Sequence, residues 1–177
     1  MNEEGEDDLE CRAAIEARVR SAFPVDPIPS SSELIEKSEF RDLESEEIGL
    51  FLSGMSWADL TLNKLFSYKG DASAILALIS REAFKYYFPA FLLMGLKEHD
   101  DAGRVFTTAI DAFLPSFRKD RQLDKWIFSR TSAFSKVQLE TSRDAFEFIK
   151  LHDSDFLEVE EIDGANQTIE LHLGQLK

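Results

Sequence analysis

The sequence contains little cysteine, little histidine and few basic residues relative to acidic ones. Among 177 residues there are one cysteine and three histidines, and 20 basic side chains stand against 34 acidic ones, for a formal charge of −14. Cys11 has no second cysteine with which to form a disulfide or a zinc site, which favours a reducing cytoplasm. A strongly negative protein is repelled by phosphate backbones and anionic lipid surfaces. We therefore expect no nucleic acid and no membrane among its direct partners.

Long hydrophobic runs are also absent. A membrane-spanning helix needs roughly 18–20 apolar residues, and the longest candidate run, residues 84–96, is interrupted by Lys85 and Pro89. The opening residues, MNEEGEDDLE, contain neither the basic nor the apolar region of a secretory signal. These two absences predict a soluble, cytoplasmic protein.

Apolar side chains are nevertheless numerous enough to form a core. Hydrophobic residues make up 44% of the chain and include fifteen phenylalanines, which argues against disorder. The length matches one ordinary domain. The net charge divides unevenly, with −10 in residues 1–50, +2 in residues 51–150 and −6 in residues 151–177. The sequence thus predicts a nearly neutral folded body with acidic ends.

The spacing of apolar residues predicts a mainly α, single-domain bundle of about six or seven helices. We expect helices over residues 9–23, 57–68, 72–79, 81–96, 100–117, 126–134 and 142–151. Ser56, Ser80 and Thr141 have the positions of helix caps. Pro89 lies within the most apolar helix and should kink it or split it in two.

Three parts of the domain differ in composition. Residues 1–32 are predicted to form a helix followed by a linker rich in proline and serine, and residues 33–155 form the helical body. The whole first third of the chain is expected to be loosely anchored to the rest. Residues 156–177 alternate apolar and polar side chains around Asp163 and Gly164, which predicts a small acidic β-hairpin.

No catalytic or metal-binding constellation stands out. Ser56 follows an apolar run as the nucleophile of a hydrolase would, but the glycine expected two residues later is Ala58, and a helix cap explains the serine. His99, His152 and His172 lack the paired spacing of a helical zinc site. The sequence therefore predicts no catalytic residue, no cofactor and no metal.

Two further clusters also have ordinary explanations. The aromatic run at residues 84–91 has helical spacing and few basic neighbours, so it is expected in the core and not as a base-stacking surface. The basic segment that begins at Arg118 and includes Lys125 and Arg130 is interleaved with acids and is predicted to be a solvated helix connection.

The acidic clusters are the best candidates for binding a partner. A fixed face of carboxylates attracts a basic protein and pairs with its lysine and arginine side chains. The predicted partner-binding residues are Glu158, Glu160, Glu161 and Asp163 on the hairpin, together with Glu44, Glu46 and Glu47.

One stretch of the helical body resembles a known family. Residues 76–93, which contain Tyr86-Tyr87-Phe88-Pro89-Ala90, are similar to the signature of a family of small acidic bacterial proteins that form a domain of unknown function. Residues 57–60 and 134–149 also look like that family's pattern. The resemblance covers about residues 50–150 and implies a helical fold and bacterial origin, with no catalytic residues to transfer. In type, though not in motif, the chain also resembles immunity proteins.

These observations lead to one functional hypothesis and one alternative. The first is an immunity protein, not an enzyme, that binds and neutralises a basic toxin delivered by a bacterial secretion system, with a nuclease as the expected toxin. The alternative is an enzyme or small-ligand-binding domain with a pocket near the Pro89 helix bend, where Tyr86, Tyr87 and His99 supply polar groups.

Overall fold

The computed structural model describes residues 5–36, 43–97, 99–114, 121–152 and 159–176. This part of the chain contains nine α-helices and no β-strand. The helices are α1 (Glu6–Ala22), α2 (Leu43–Leu52), α3 (Leu62–Ser67), α4 (Ile75–Leu78), α5 (Arg81–Lys97), α6 (His99–Asp111), α7 (Arg121–Thr131), α8 (Lys136–His152) and α9 (Val159–Gln175). The mainly helical fold is confirmed, but the predictions of six or seven helices and of a hairpin are wrong. None of the described helices is both long and apolar enough to cross a membrane.

Helix α5 is the centre of the bundle because it is apolar on nearly every side. It packs against α1, α6, α7 and α8, and a helix that is hydrophobic all round must be buried. Ser80 caps it as predicted, since its Oγ accepts a hydrogen bond from the Ala83 N–H at 3.1 Å. The helix runs through Pro89 without being split. At Gly95 a Cβ atom would lie 2.1 Å from the Phe106 ring, so only glycine lets α5 and α6 approach this closely.

A cluster of phenylalanines joins the helices around α5. The Phe88 ring lies 5.2 Å from that of Phe134 and 5.4 Å from that of Phe113, between ring centroids. Phe23, at the end of α1, adds a contact of 5.9 Å to Phe134. Such pairs contribute roughly 0.5–1.5 kcal/mol each beyond the burial of their area. The prediction that the aromatic residues form the core is confirmed.

The C-terminal segment is helix α9, not a hairpin. Its buried residues, Ile162, Ala165, Ile169 and Leu173, are spaced three or four apart and face α8 and α6. The alternation that suggested strands is weaker than this helical stripe. Gly164 does not form a turn. A Cβ atom there would lie 2.8 Å from the Leu114 side chain, so the glycine permits close packing.

Helix α8 begins earlier than predicted, and Thr141 is buried inside it. The cap is Ser135, whose Oγ accepts a hydrogen bond from the Gln138 N–H at 3.3 Å. In return, the Ser135 N–H donates to the Gln138 side-chain oxygen at 2.9 Å. This reciprocal capping box satisfies two backbone donors at the start of the helix. The Gln138 amide also donates to the Ala22 carbonyl at 3.2 Å and thereby joins α8 to the end of α1.

Arg130 is buried, which contradicts its predicted place in a solvated connection. Its guanidinium donates to the carbonyl oxygens of Leu76 at 2.7 Å and Ile79 at 3.0 Å, and it lies against the rings of Phe84 and Trp126. These carbonyls belong to the end of the short helix α4, where helical donors are missing. Burial lowers the pKa of Arg130 to about 10. The residue therefore has a structural role.

Candidate protein-binding surfaces

The acidic residues predicted near position 45 lie on an ordered helix. Glu44, Glu46 and Glu47 are exposed in the first turns of α2, where negative charge interacts favourably with the helix dipole. Burial raises the pKa of Tyr68, and the nearby carboxylates of Glu47 and Glu44 raise it further. Two of the three acids therefore lie close to one aromatic side chain.

The outward side of α2 combines acidic and apolar residues. Leu43 and Leu50 are 67% and 79% exposed, and they lie seven residues apart on the same side of the helix as Glu46 and Glu47. We call these four residues the α2 face. The opposite side of the helix is buried through Ser45, Ile48 and Leu52. The α2 face is thus amphipathic and is directed toward solvent.

The acids predicted at the C-terminal end differ in their surroundings. Glu158 lies outside the described residues. Glu160 is exposed in the first turn of α9, and Glu161 is partly buried. Burial raises the pKa of Asp111, and the nearby Glu161 raises it further. Asp163 forms an ion pair with Lys150 of α8, so its charge is compensated within the protein.

Further ion pairs compensate charge along α8 and α9. Arg143 pairs with Glu170 at 2.6 Å, and Arg18 of α1 pairs with Asp144 at 2.5 Å. The Glu147 carboxylate accepts a hydrogen bond from the Asn166 amide. The structure therefore brings Glu160, Glu161 and Asp163 together on one helix, but the helix pair supplies cations for several of its own acids.

A groove of about 440 Å³ lies between the proline-rich segment and the start of α5. Sequence reasoning did not identify it. Residues 24–29 form one side and Glu82, Lys85 and Tyr86 the other, while Phe23 and Gln138 are almost completely buried at its base. The volume falls in the range of natural ligand sites. We call this feature the proline groove.

The proline-rich segment is held in place and is not a loose linker. The Trp57 indole N–H donates to the Pro24 carbonyl at 3.0 Å, and the Tyr86 hydroxyl donates to the Val25 carbonyl at 2.5 Å. Farther along, the Ser80 N–H donates to the carbonyl of the buried Leu34 at 2.8 Å. These bonds come from distant parts of the chain, so tertiary contacts define the groove.

Carboxylates outnumber amines in the proline groove. Asp26, Glu33 and Glu82 line it together with one amine, that of Lys85. Two hydrogen bonds from Ser30 lower the pKa of Glu33 and keep it ionised. The side chains of Asp26, Glu82 and Lys85 form no hydrogen bond or ion pair with a residue that the structure describes. The groove therefore carries an uncompensated charge of about −2 at neutral pH.

The polar groups proposed for a pocket at Pro89 are separated. Pro89 and Tyr87 are buried in the packed core, and the Tyr87 hydroxyl donates to the carbonyls of Met55 at 2.8 Å and Leu52 at 3.0 Å. Burial raises the pKa of Tyr87. Tyr86 lines the proline groove instead. The side chain of His99 lies outside the part that the structure describes.

Three other candidate groups have structural partners. The Ser56 Oγ accepts a hydrogen bond from the Ala58 N–H at 3.2 Å, so this serine caps a short 3-10 turn. His152 contacts Asp8 at 3.1 Å. His172 is buried, with its Nε2 2.6 Å from the Thr131 hydroxyl and its ring stacked on Phe128. Within the described ranges, no group of three or more metal-ligating side chains comes together.

The proline groove has only an indirect signal in the sequence. Three prolines within six residues indicate a constrained segment, but they do not show which surface the segment covers. The comparisons add no relative: no family model, no curated protein and no solved structure matches this chain.

Proposed function

We propose that this chain is an immunity-type protein of the bacterial cytoplasm, which binds a basic toxin and neutralises it. The observation that carries the proposal is the α2 face. Glu46 and Glu47 are flanked there by the exposed side chains of Leu43 and Leu50. Exposed apolar side chains contribute to affinity on burial, and neighbouring carboxylates select a partner with lysine and arginine.

The overall charge supports the same proposal through association kinetics. A formal charge of −14 attracts a basic partner over distances beyond direct contact. The exposed Glu160 at the start of α9 adds to this field. The attraction is screened over about 8 Å at physiological ionic strength, so association with a basic toxin should slow as salt is added. A nuclease is a suitable toxin, because enzymes that bind phosphate backbones carry basic surfaces.

The test is co-expression with the product of the adjacent gene. The proposal predicts that the wild-type chain restores growth when this product is toxic, and that E46K/E47K abolishes both rescue and complex formation. Glu10, exposed on α1, supplies the control, because E10K changes a charge outside the α2 face. Toxicity that persists with wild-type chain, or an E46K/E47K variant that still protects, would contradict the proposal.

The alternative of an enzyme or ligand-binding domain has one supporting observation, which is the proline groove. Its volume of about 440 Å³ suits a small organic molecule. This alternative predicts that a small molecule binds in the groove and that the chain has no effect on a basic partner protein. Growth rescue that depends on Glu46 and Glu47 would argue against it.

A further inference from the structure

The proline groove has the features of a preformed binding site. Its base consists of Phe23 and Gln138, which are 1% and 4% exposed, and its sides are held by the hydrogen bonds from Trp57 and Tyr86 described above. Proline restricts the backbone of the 24–29 segment further. Little conformational entropy is therefore lost when a ligand enters, which favours binding.

The chemistry of the groove favours a cation attached to an apolar group. Two carboxylates that have no partner among the described residues, those of Asp26 and Glu82, line the groove with prolines and the Tyr86 ring. Glu33 adds a third carboxylate. An arginine guanidinium donates several planar hydrogen bonds to carboxylates and also stacks on aromatic rings, whereas the more strongly hydrated lysine amine does not. The neighbouring prolines offer an apolar surface to the residue beside the arginine.

The position of the groove favours a protein segment as the source of that arginine. Ser31, just beyond the proline-rich wall, shares a hydrogen bond of 2.9 Å with Ser53, which directly follows α2. The end of the groove wall is therefore linked to the end of α2, the helix that carries the α2 face. Pro24, Pro27 and Pro29 have no backbone N–H, so this wall is a poor edge for adding a β-strand. Recognition must then depend on side chains.

We propose that the proline groove binds an arginine side chain, with an adjacent apolar residue, from an extended segment of the basic partner protein. This inference rests on the proposed function for the identity of the partner. The site itself is separate from the α2 face, so the two proposals can fail independently.

The probe is the dipeptide acetyl-Leu-Arg-amide, and its matched control is acetyl-Leu-citrulline-amide, in which a neutral urea replaces the guanidinium. Titrations followed by amide NMR should show shifts at the non-proline residues of 23–28, at residues 82–86 and at the Gln138 side chain. We expect the citrulline peptide to bind at least about tenfold more weakly, since hydrogen bonds to charged groups contribute about 1.5–3 kcal/mol. Equal binding of the two peptides, or shifts located elsewhere, would overturn the proposal, as would the absence of binding.

Three variants test the role of charge within the groove. Because the groove is open to solvent, E82Q should weaken binding of the arginine peptide by only about threefold. K85Q should strengthen binding of the same peptide by a similar factor, because the substitution removes a positive charge that repels the guanidinium. The control E10Q makes the same change as E82Q on α1 and should have no effect. If E82Q does not fold, D26N replaces it. Unchanged affinity in both groove variants would refute the assignment.

Two further outcomes separate the proposals. If agmatine, a free guanidinium compound, binds more tightly than the dipeptide, the groove is a small-molecule site and the inference is wrong. E46K/E47K should abolish growth rescue without changing dipeptide binding. Dipeptide binding without growth rescue would contradict only the proposed function. Growth rescue without dipeptide binding would contradict only the assignment of the groove.

Discussion

The α8 and α9 helices and the proline groove are both acidic in sequence, but they differ in how much of that charge is available. On α8 and α9, Asp163 pairs with Lys150 and Glu170 pairs with Arg143. In the groove, Asp26 and Glu82 have no partner among the described residues. The sequence analysis placed four of its seven predicted partner-binding acids at the C-terminal end. A count of acidic residues therefore does not locate the charge that a partner can use.

The difference arises from which elements lie opposite the acids. The α8 helix supplies Lys150 and Arg143 to α9, because antiparallel helix neighbours bring charged flanks together along their length. Across from the proline-rich segment, the start of α5 supplies one lysine and one further acid. The following predictions test this contrast between compensated and uncompensated charge, beginning with the largest expected effect.

Removing a buried cation should cost much more stability than removing a surface one. R130L leaves the carbonyls at the end of α4 without donors, so we expect the free energy of unfolding to fall by about 3 kcal/mol. R143Q breaks the exposed pair with Glu170 and should cost about 1 kcal/mol or less. Urea denaturation measures both variants. Equal losses would show that the α8 and α9 ion pairs are structural in the way that Arg130 is.

Gln138 belongs to both of the regions compared above, because it caps α8 and lies at the base of the proline groove. Q138M should lower the free energy of unfolding by about 2 kcal/mol, through loss of the cap and of the bond to the Ala22 carbonyl. The same variant should weaken binding of acetyl-Leu-Arg-amide. Q167M, at an exposed position of α9, is the control. If Q138M lowers stability but leaves dipeptide binding unchanged, the base of the groove does not contribute to the site.

Acidification should lower the stability of the protein through His172 on α9. Burial lowers the pKa of His172 in the folded protein, so below about pH 6.5 the unfolded chain takes up a proton that the folded chain does not. Stability should therefore be complete above that pH and fall as the pH decreases toward the lowered pKa. Urea midpoints measured at about pH 7.5 and 5.5 test this. H172Q should reduce the dependence of the urea midpoint on pH. A wild-type protein that becomes more stable at the lower pH would contradict the prediction.

The variant with the smallest expected effect on stability, K150Q, should change the charge that α9 presents to a partner. K150Q removes the partly buried partner of Asp163 and should shift the urea midpoint only slightly, because ion pairs near the surface contribute little to stability. It should nevertheless increase attraction between α9 and a basic partner, because one more carboxylate becomes available. The association rate at low salt measures this, with K64Q at an exposed position of α3 as the control, because Lys64 has no ion pair among the described residues. If both variants change the rate equally, only net charge matters and the pairing does not.

The sequence predicted the features that depend on local spacing. Helix α5 and its cap Ser80 followed from the apolar pattern, and the aromatic run proved to be core. Both depend on residues within a few positions of one another. The sequence also identified Glu44, Glu46 and Glu47, whose side chains are exposed on α2, and their role in binding is a prediction.

The errors occurred where one local pattern had two structural interpretations. Residues near Gly164 alternate like strands, yet their buried side chains follow a helical stripe that only α6 and α8 could select. Arg130 looked like a surface residue because its partners, the carbonyls of α4, lie more than fifty positions away. The proline groove was missed for the same reason, since Trp57 and Tyr86 hold its wall from distant positions.

By itself, the sequence determined a helical, acidic protein with an aromatic core, because composition and spacing of three or four residues are properties of the chain alone. The tertiary structure decided that residues 159–175 form a helix and that the proline-rich segment makes a groove. It also decided which carboxylates have cationic partners. These outcomes depend on contacts between residues far apart in the chain, because charge compensation and burial are properties of the packed surfaces.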